Sequence, residues 1–168
     1  MANSKRALVI EDVTAIVACA AESSDAKEVY RLAERVAAAT IGWRLFTILR
    51  YVEAAQAVER LYSSDEVAYP VGGRKPLSKI TASHGAMERG EVFLAATKDE
   101  VRQAFFDHEL IFSLGITAIL NVPIHHAGRR LGTINLCGED GMYGPAEIVR
   151  GKILAGLLVP LLLDVTDD

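Results

Sequence analysis

Apolar positions at helical spacing begin the chain. Between residues 5 and 21 they recur every three or four residues, at Val9, Val13, Ile16 and Ala20. This period predicts an amphipathic helix. Asp25, with Glu28 three positions later, predicts a capping box that begins a second helix. That helix is expected to end at Gly42 and to bury Val29, Leu32, Val36 and Ala37.

The pattern then changes to one typical of strands and loops. Residues 43–52, WRLFTILRYV, are rich in aromatic and β-branched side chains and predict a strand, and residues 58–64, VERLYSS, predict a second. Two prolines and two glycines in residues 69–79, YPVGGRKPLSK, predict a loop. Residues 80–89 fit no single pattern, and residues 91–95 predict a short strand.

A helix and a strand hairpin are predicted next. Residues 98–114 carry apolar side chains at helical spacing, and Gly115 follows as a cap, so one long helix is expected. Residues 117–124 and 131–138 read as strands, and the intervening HHAGRR is expected to form the turn between them.

The last helix completes the predicted fold class. Gly144-Pro145 begins it, because proline suits the first helical turn, and Pro160 is expected to kink or end it. The order is helix, helix, strand, strand, loop, helix, strand hairpin, helix. This order predicts an α+β fold with a central antiparallel sheet and helices on one face.

Alternation sorts the hairpin side chains onto two faces of the sheet. One face is apolar and suits packing against helices, with Leu120, Val122, Ile124, Ile134 and Leu136. The other carries Asn121, Thr133, Asn135 and Cys137, with Leu131 further along. Pairing across the hairpin is expected to set Asn121 beside Asn135. Two amides in buried strands require hydrogen bonds, which either covering loops or a ligand would supply.

Composition favours a single domain with an apolar surface left over. The 168 residues are 51% hydrophobic, with a mean hydropathy of +0.21. Much of the apolar excess lies in the terminal thirds, which predicts a homodimer through the N-terminal and C-terminal helices.

The net charge is −4 and the basic residues are scattered, so no nucleic-acid partner is expected. The apolar tail at residues 153–165 is too short for a bilayer span, so no membrane partner is expected either.

The two cysteines bear on compartment and cofactor. Cys19 and Cys137 form neither a metal-binding pattern nor a disulfide framework. We therefore expect a reducing, cytoplasmic location, with no metal and no cofactor.

The hairpin resembles a known family. The run LNVPIHHAGRRLGTINL at residues 120–136, with a helix on each side, resembles the closing hairpin of a GAF domain, and WRLFTILRY and VERLYSS resemble the opening half. The resemblance covers residues 22–165 and leaves residues 1–21 as an N-terminal helix for dimerisation. It implies a small-molecule pocket under variable loops, on the sheet face opposite the helices, and dimerisation through terminal helices.

Eight residues are predicted to bind the ligand, because the pocket face, its helix and its loops would present them. They are Tyr62, Tyr69, Arg74, Phe93, Asp107, His108, Asn121 and Asn135. Arg74 and Lys75 follow two glycines, which suits a cationic lid over a carboxylate or another anion. The alternative is an exposed loop with no ligand. His84 would add a further cation to the pocket.

The specialised GAF classes fit less well. The Asn-Lys…Phe…Asp-Glu signature of cyclic-nucleotide members is present only in scrambled form, at residues 106–109. Neither cysteine is placed for bilin attachment. The free methionine sulfoxide reductase resembles other thiol reductases in needing two thiols, whereas only Cys137 is expected to face the pocket. Haem would need an axial histidine, for which His84 or His108 could serve.

Three functions remain open. The first is a cytoplasmic sensor or ligand-binding regulatory module for a small polar or anionic metabolite. The second is an enzyme of hydrolase or reductase type, with His108, Asp107 or Cys137 as the reactive group. The third is a dimeric interaction module whose pocket is vestigial.

Overall fold

The computed structural model describes residues 5–79, 86 and 88–165. Its helices are α1 (Ile10–Glu22), α2 (Ala26–Thr40), α3 (Lys98–Ala104), α4 (His108–Ser113), α5 (Pro145–Leu157) and α6 (Val159–Leu163). Its strands are β1 (Leu45–Val52), β2 (Ala57–Ser63), β3 (Arg74–Pro76), β4 (Phe93–Ala95), β5 (Ala118–His126) and β6 (Arg129–Gly138). Within these ranges no helix combines the length and the apolar character that a bilayer span requires.

The strands form one antiparallel sheet in the order β3-β2-β1-β6-β5-β4. The β5–β6 hairpin turns at Ala127 and Gly128, whose φ angles of 49° and 75° are the positive values that a tight hairpin turn of type I′ requires. The register that follows pairs Asn121 directly with Asn135. The predicted hairpin and its pairing are confirmed.

The two faces of the sheet build two cores. Helices α1, α2 and α5 cover the first face, where the fully buried Phe46, Ile48 and Ile134 pack with residues of those helices. A smaller cluster on the second face joins the sheet to α3 and α4, and includes Leu45, Ile119, Cys137, Val101 and Ile111. The α+β fold is confirmed, and the short helices α3 and α4 roof the second face.

Strict alternation assigns one residue of the hairpin, Leu131, to the wrong face of the sheet. Leu131 packs with the helix-side core, although alternation places it beside Thr133. The β5–β6 register shifts between Ile124 and His125, where β6 carries an extra residue, and such a bulge changes the face that a side chain takes.

The predicted helix ends are largely confirmed. The Asp25 side chain accepts a hydrogen bond from the Lys27 amide at 2.9 Å and caps α2. Glu28 accepts from the Ser23 hydroxyl, in place of the reciprocal bond that a capping box needs. At the other end of the chain, α5 begins with Pro145 after the cap residue Gly144, and it ends before the short helix that contains Pro160.

Two predictions of local structure are wrong. The helix expected over residues 98–114 breaks at Phe105, which is extended with φ −124° and ψ 122°, and it resumes at His108. Tertiary packing outweighs helix propensity here, because the break lets Phe105 pack edge-on against Phe93 at 6.0 Å. The loop expected over residues 69–79 contains the edge strand β3, whose position at the sheet edge tolerates Pro76.

Candidate ligand-binding site

A cavity of about 90 Å³ lies between the second face of the sheet and the α3–α4 region. Its apolar wall comes from both layers and includes Leu45, Leu49, Val58, Phe105, Ile111, Ile116 and Ile119. Its polar and charged wall consists of Thr47, Arg60, Tyr69, Lys75, Asp107, Asn121, Thr133 and Asn135, with Cys137 and Gly73 between them. An apolar enclosure with a few polar groups is typical of small-molecule sites.

Arg60 of β2 is the principal cation of the cavity. Its Nη1 donates to the Pro70 carbonyl at 3.0 Å, and its guanidinium lies 5.0 Å from the centre of the Tyr69 ring. Its buried Nε has no hydrogen-bond partner among the residues described. Burial lowers the pKa of Arg60, and the neighbouring Tyr69 and Asp107 partly oppose that shift. An arginine stays protonated even so, which leaves a charged donor facing the cavity.

The Gly-rich loop after β2 holds this arginine in place. The Arg60 amide donates to the Gly73 carbonyl at 3.0 Å, and the Gly72 amide donates to the Arg60 carbonyl at 2.8 Å. A Cβ on Gly73 would lie 2.9 Å from Arg60 Nη1 and 3.1 Å from the Pro70 oxygen, both closer than normal contact. Gly73 therefore leaves the room that the guanidinium occupies.

An ion pair crosses the edge of the cavity. Lys75 of β3 places its Nζ 3.3 Å from Asp107 Oδ1, and the same Nζ lies 4.5 Å from the centre of the Phe106 ring. Asp107 belongs to the segment between α3 and α4, so the pair joins the sheet edge to the roof. The break in the predicted long helix is what brings Asp107 to this position.

The two asparagines differ in how they are held. Asn135 is 8% exposed, and its Nδ2 donates to Thr47 Oγ1 at 3.0 Å. Its Oδ1 lies 3.2 Å from the Thr133 hydroxyl. Asn121 is 5% exposed, and its buried Oδ1 has no hydrogen-bond partner in the described part of the chain. Asn135 is therefore satisfied by threonines of β1 and β6, and not by the covering loops that the sequence suggested. Asn121 keeps a buried acceptor without a partner among the described residues.

The candidate thiol is poorly suited to act as a nucleophile. Burial raises the pKa of Cys137 to about 12, so the thiolate is scarce at neutral pH. Cys19 lies in α1 and packs against the helix-side core, whereas Cys137 belongs to the core on the opposite face of the sheet. The two thiols therefore cannot exchange a disulfide within one chain in this fold.

Two predicted site residues lie away from the cavity on β2 and β3. Tyr62 packs on the helix side, where its hydroxyl donates to Glu34 and its ring lies 6.2 Å from that of Phe46. Arg74 is half exposed and donates from Nε to Glu59 Oε2 at 2.6 Å. Of the two cations predicted for a lid, Lys75 lines the cavity and Arg74 does not, and Arg60 of β2 lines it as well.

Two more predicted residues, one on strand β4 and one in the roof, lie near the cavity without lining it. Phe93 packs on Phe105, behind the cavity wall. His108 directs its Nδ1 to the Phe105 carbonyl at 2.9 Å, and its ring packs on Phe112 with centroids 5.6 Å apart. This side chain stabilises the start of α4 and does not contact the space where a substrate would sit. His84 lies outside the described residues.

A bulge explains why Tyr62 was wrongly predicted for the site, whereas Arg60 follows the alternation and was missed. Strict alternation in β2 places Val58, Arg60 and Tyr62 on one face, but the β1–β2 register shifts so that Ile48 pairs with Tyr62 and Leu49 with Arg60. Leu61 is the extra residue, and Tyr62 turns to the helix side. The signal available in the sequence was a charged residue in phase with Val58 on a strand that otherwise carries core residues.

No metal centre is built from these groups. In the ranges the structure describes, no cluster of three or more His, Cys, Asp and Glu side chains is arranged to hold a metal ion.

Solved structures share this architecture at low sequence identity. A GAF domain of a phosphoenolpyruvate-protein phosphotransferase from Acinetobacter matches with a TM-score of 0.75 and 13% identity, over 95% of this chain and 97% of that one. The GAF domain of a two-component sensor histidine kinase from Bacillus halodurans matches with a TM-score of 0.68 and 11% identity, over 84% and 98%. Free methionine-R-sulfoxide reductase from Neisseria meningitidis, in complex with its substrate, matches with a TM-score of 0.72 and 12% identity, over 96% of each chain. No protein-family model and no curated sequence matches.

The chain has the GAF-domain fold. Sequence identities this low establish the fold alone. The chemical class of the ligand depends on the side chains that line this cavity.

Proposed function

We propose that this GAF domain is a ligand-binding regulatory module and that its cavity binds a small anion, foremost a carboxylate. Arg60 carries the proposal, because its buried Nε has no hydrogen-bond partner among the described residues. A buried donor left without a partner is costly, and a carboxylate would supply a charge-assisted hydrogen bond to it. The planar guanidinium also suits a carboxylate better than a lysine would.

Charge and size support the same ligand class. The cavity wall holds two cations, Arg60 and Lys75, and one carboxylate, Asp107, so its formal charge is +1. A volume of about 90 Å³ is well below the roughly 300–1,000 Å³ of pockets for drug-sized molecules. It is closer to the cavity of about 150 Å³ that accommodates benzene. A small carboxylate fits these limits, and a nucleotide or a tetrapyrrole does not.

Binding is favoured over catalysis by the groups that line the cavity. The Cys137 thiol has a pKa raised to about 12 by burial, His108 lies off the cavity, and Asp107 is paired with Lys75. A regulatory role agrees with the GAF domain of a sensor histidine kinase that shares this fold, and we propose that this chain acts in the cytoplasm. We further propose a homodimer through α1 and α5, which would carry the response to a partner protein.

The test is a thermal-shift screen of small carboxylates against matched neutral amides. At a hundredfold excess over Kd, a carboxylate should stabilise the wild type by about 2.7 kcal/mol, and Arg60→Met should abolish most of this gain. Arg74→Met is the matched control and should respond like the wild type, because Arg74 pairs with Glu59 outside the cavity. Stabilisation by amides alone, or an Arg60→Met response equal to that of the wild type, would overturn the proposal.

A further inference from the structure

The polar groups of the cavity are distributed unevenly between its two ends. Lys75 and Asp107 contact each other, and Asp107 also acts on the pKa of Arg60, so the charged groups gather at the β2–β3 side. Asn121 lies on β5, toward the opposite side of the sheet. One end of the cavity is therefore charged, and the other presents the neutral acceptor Asn121 Oδ1.

The sheet sets the distance between these ends. Arg60 on β2 and Asn121 on β5 are separated by three strand spacings, through β1 and β6. At about 4.8 Å for each spacing, their main chains lie roughly 14 Å apart. The long arginine side chain spans part of this distance. On the two intervening strands the cavity is lined by Leu49 and by Thr47, Thr133 and Asn135, and the apolar side chains of Phe105, Ile111 and Ile116 add to its wall.

We propose that the ligand is a monocarboxylate whose far end is uncharged and donates a hydrogen bond to Asn121, as the hydroxyl of an ω-hydroxy acid would. This inference rests on the proposed function, because it assumes that Arg60 binds the carboxylate. Asn121 Oδ1 is buried and without a partner in the part of the chain described here, so it calls for a donor. The apolar side chains that the cavity wall does contain, among them Leu49, Phe105 and Ile111, suit a short hydrocarbon chain.

Charge separates this ligand from its close analogues. A formal wall charge of +1 balances one carboxylate, whereas a dicarboxylate would leave one negative charge in excess and would place an acceptor against Asn121 Oδ1. An ω-amino acid offers a donor, but its ammonium group would lose its hydration beside a neutral amide, with no charged residue of the cavity wall at that end. The ω-hydroxy acid carries one negative charge and an uncharged hydrogen-bond donor, so it matches both the wall charge and Asn121.

The test measures affinities for matched compounds by calorimetry on the intact chain. The panel contains pentanoate, 5-hydroxypentanoate, glutarate and 5-aminopentanoate, with their butanoate and hexanoate homologues. At the chain length that fits best, the hydroxy acid should bind about tenfold more tightly than the unsubstituted acid, and more tightly than the diacid and the amino acid. Asn121→Ala should remove the hydroxyl preference and keep the affinity for the unsubstituted acid, whereas Arg60→Met should weaken every compound.

The outcomes distinguish the inference from the proposed function. Equal binding of the hydroxy and unsubstituted acids overturns the inference and leaves the carboxylate site standing. Tighter binding of the diacid or of the amino acid overturns it as well. Absence of binding by the whole panel, with other small carboxylates also inactive in the thermal-shift screen, overturns both. The ranking of the compounds by their affinity for the wild type tests the inference even if Asn121→Ala does not fold.

Discussion

Asn121 and Asn135 are direct cross-strand partners in the β5–β6 hairpin, yet only one of them is held by its neighbours. Asn135 lies between Thr47 and Thr133 and has a hydrogen-bond partner for each end of its amide. Asn121 keeps an oxygen without a partner among the described residues. The same residue type, in the same row of the sheet, is therefore fully hydrogen-bonded in one strand and keeps a buried acceptor without a partner, beside the cavity, in the next.

This difference predicts opposite effects of two equivalent substitutions. Asn135→Ala should lower the free energy of unfolding by about 1–3 kcal/mol, because Thr47 and Thr133 lose a buried partner. Asn121→Ala removes an atom that already lacks a partner, so it should lower stability by less than about 1 kcal/mol. Urea unfolding of the two variants measures both values. Equal losses would show that both amides are structural and that the cavity has no open acceptor.

The hairpin shows what a local pattern can predict. The facing of Asn121 and Asn135 depends only on the two-residue period of a strand and on a short turn, and both can be read from neighbouring residues. The open position of Asn121 could not be predicted in this way. It depends on where Thr47 lies, because Thr47 binds Asn135 and not Asn121, and Thr47 comes 88 positions before Asn135 in the chain.

The charged end of the cavity was harder to predict for the same reason. Arg60 faces the cavity and Tyr62 does not because Leu61 forms a bulge, and no glycine or proline marks it. Asp107 reaches Lys75 only because the helix breaks at Phe105, a break set by packing against β4. Register shifts and helix breaks that depend on distant contacts leave no periodic signal in the chain.

Gly73 gives a prediction about the position of Arg60. In Gly73→Ala the new Cβ would displace Arg60 Nη1, from which it would lie 2.9 Å, and would weaken the bond to the Pro70 carbonyl. Carboxylate affinity should fall about fivefold, which corresponds to the loss of roughly 1 kcal/mol of hydrogen bonding. Calorimetry measures this change. The control is a double-mutant cycle, in which Gly73→Ala should have no further effect once Arg60→Met is present.

Cys137 predicts how stability depends on pH. Its pKa is raised by burial from 9.0 to about 12, so folding favours the neutral thiol. The contribution of the buried thiol to stability is fully present below pH 9 and is lost as the pH rises toward 12. The loss should reach at most about 1.4 kcal/mol per pH unit.

Urea unfolding at several pH values tests this prediction. Tyrosines with raised pKa values, such as Tyr30 and Tyr51, contribute in the same direction, so the informative quantity is a difference between variants. Cys137→Ala should flatten the decline above about pH 9 relative to the wild type. The same slope in both proteins would show that Cys137 ionises as readily in the folded chain as in the unfolded one.

The terminal helices predict a homodimer. Helix α1 packs on α2 and α5, yet Val17 of α1 is 53% exposed and Val149 of α5 is 57% exposed, and Ile10 and Ile153 are also exposed. Apolar side chains left on two neighbouring helices favour association with a second copy of the same surface. Light scattering at micromolar concentration should give twice the monomer mass of 18.2 kDa.

Val17→Lys and Val149→Lys should reduce the mass to that of the monomer by burying a charge in the interface. Val67→Lys is the matched control, because Val67 is 97% exposed outside the terminal helices, and it should stay dimeric. A monomeric wild type would contradict the prediction, and so would equal behaviour of all three lysine variants.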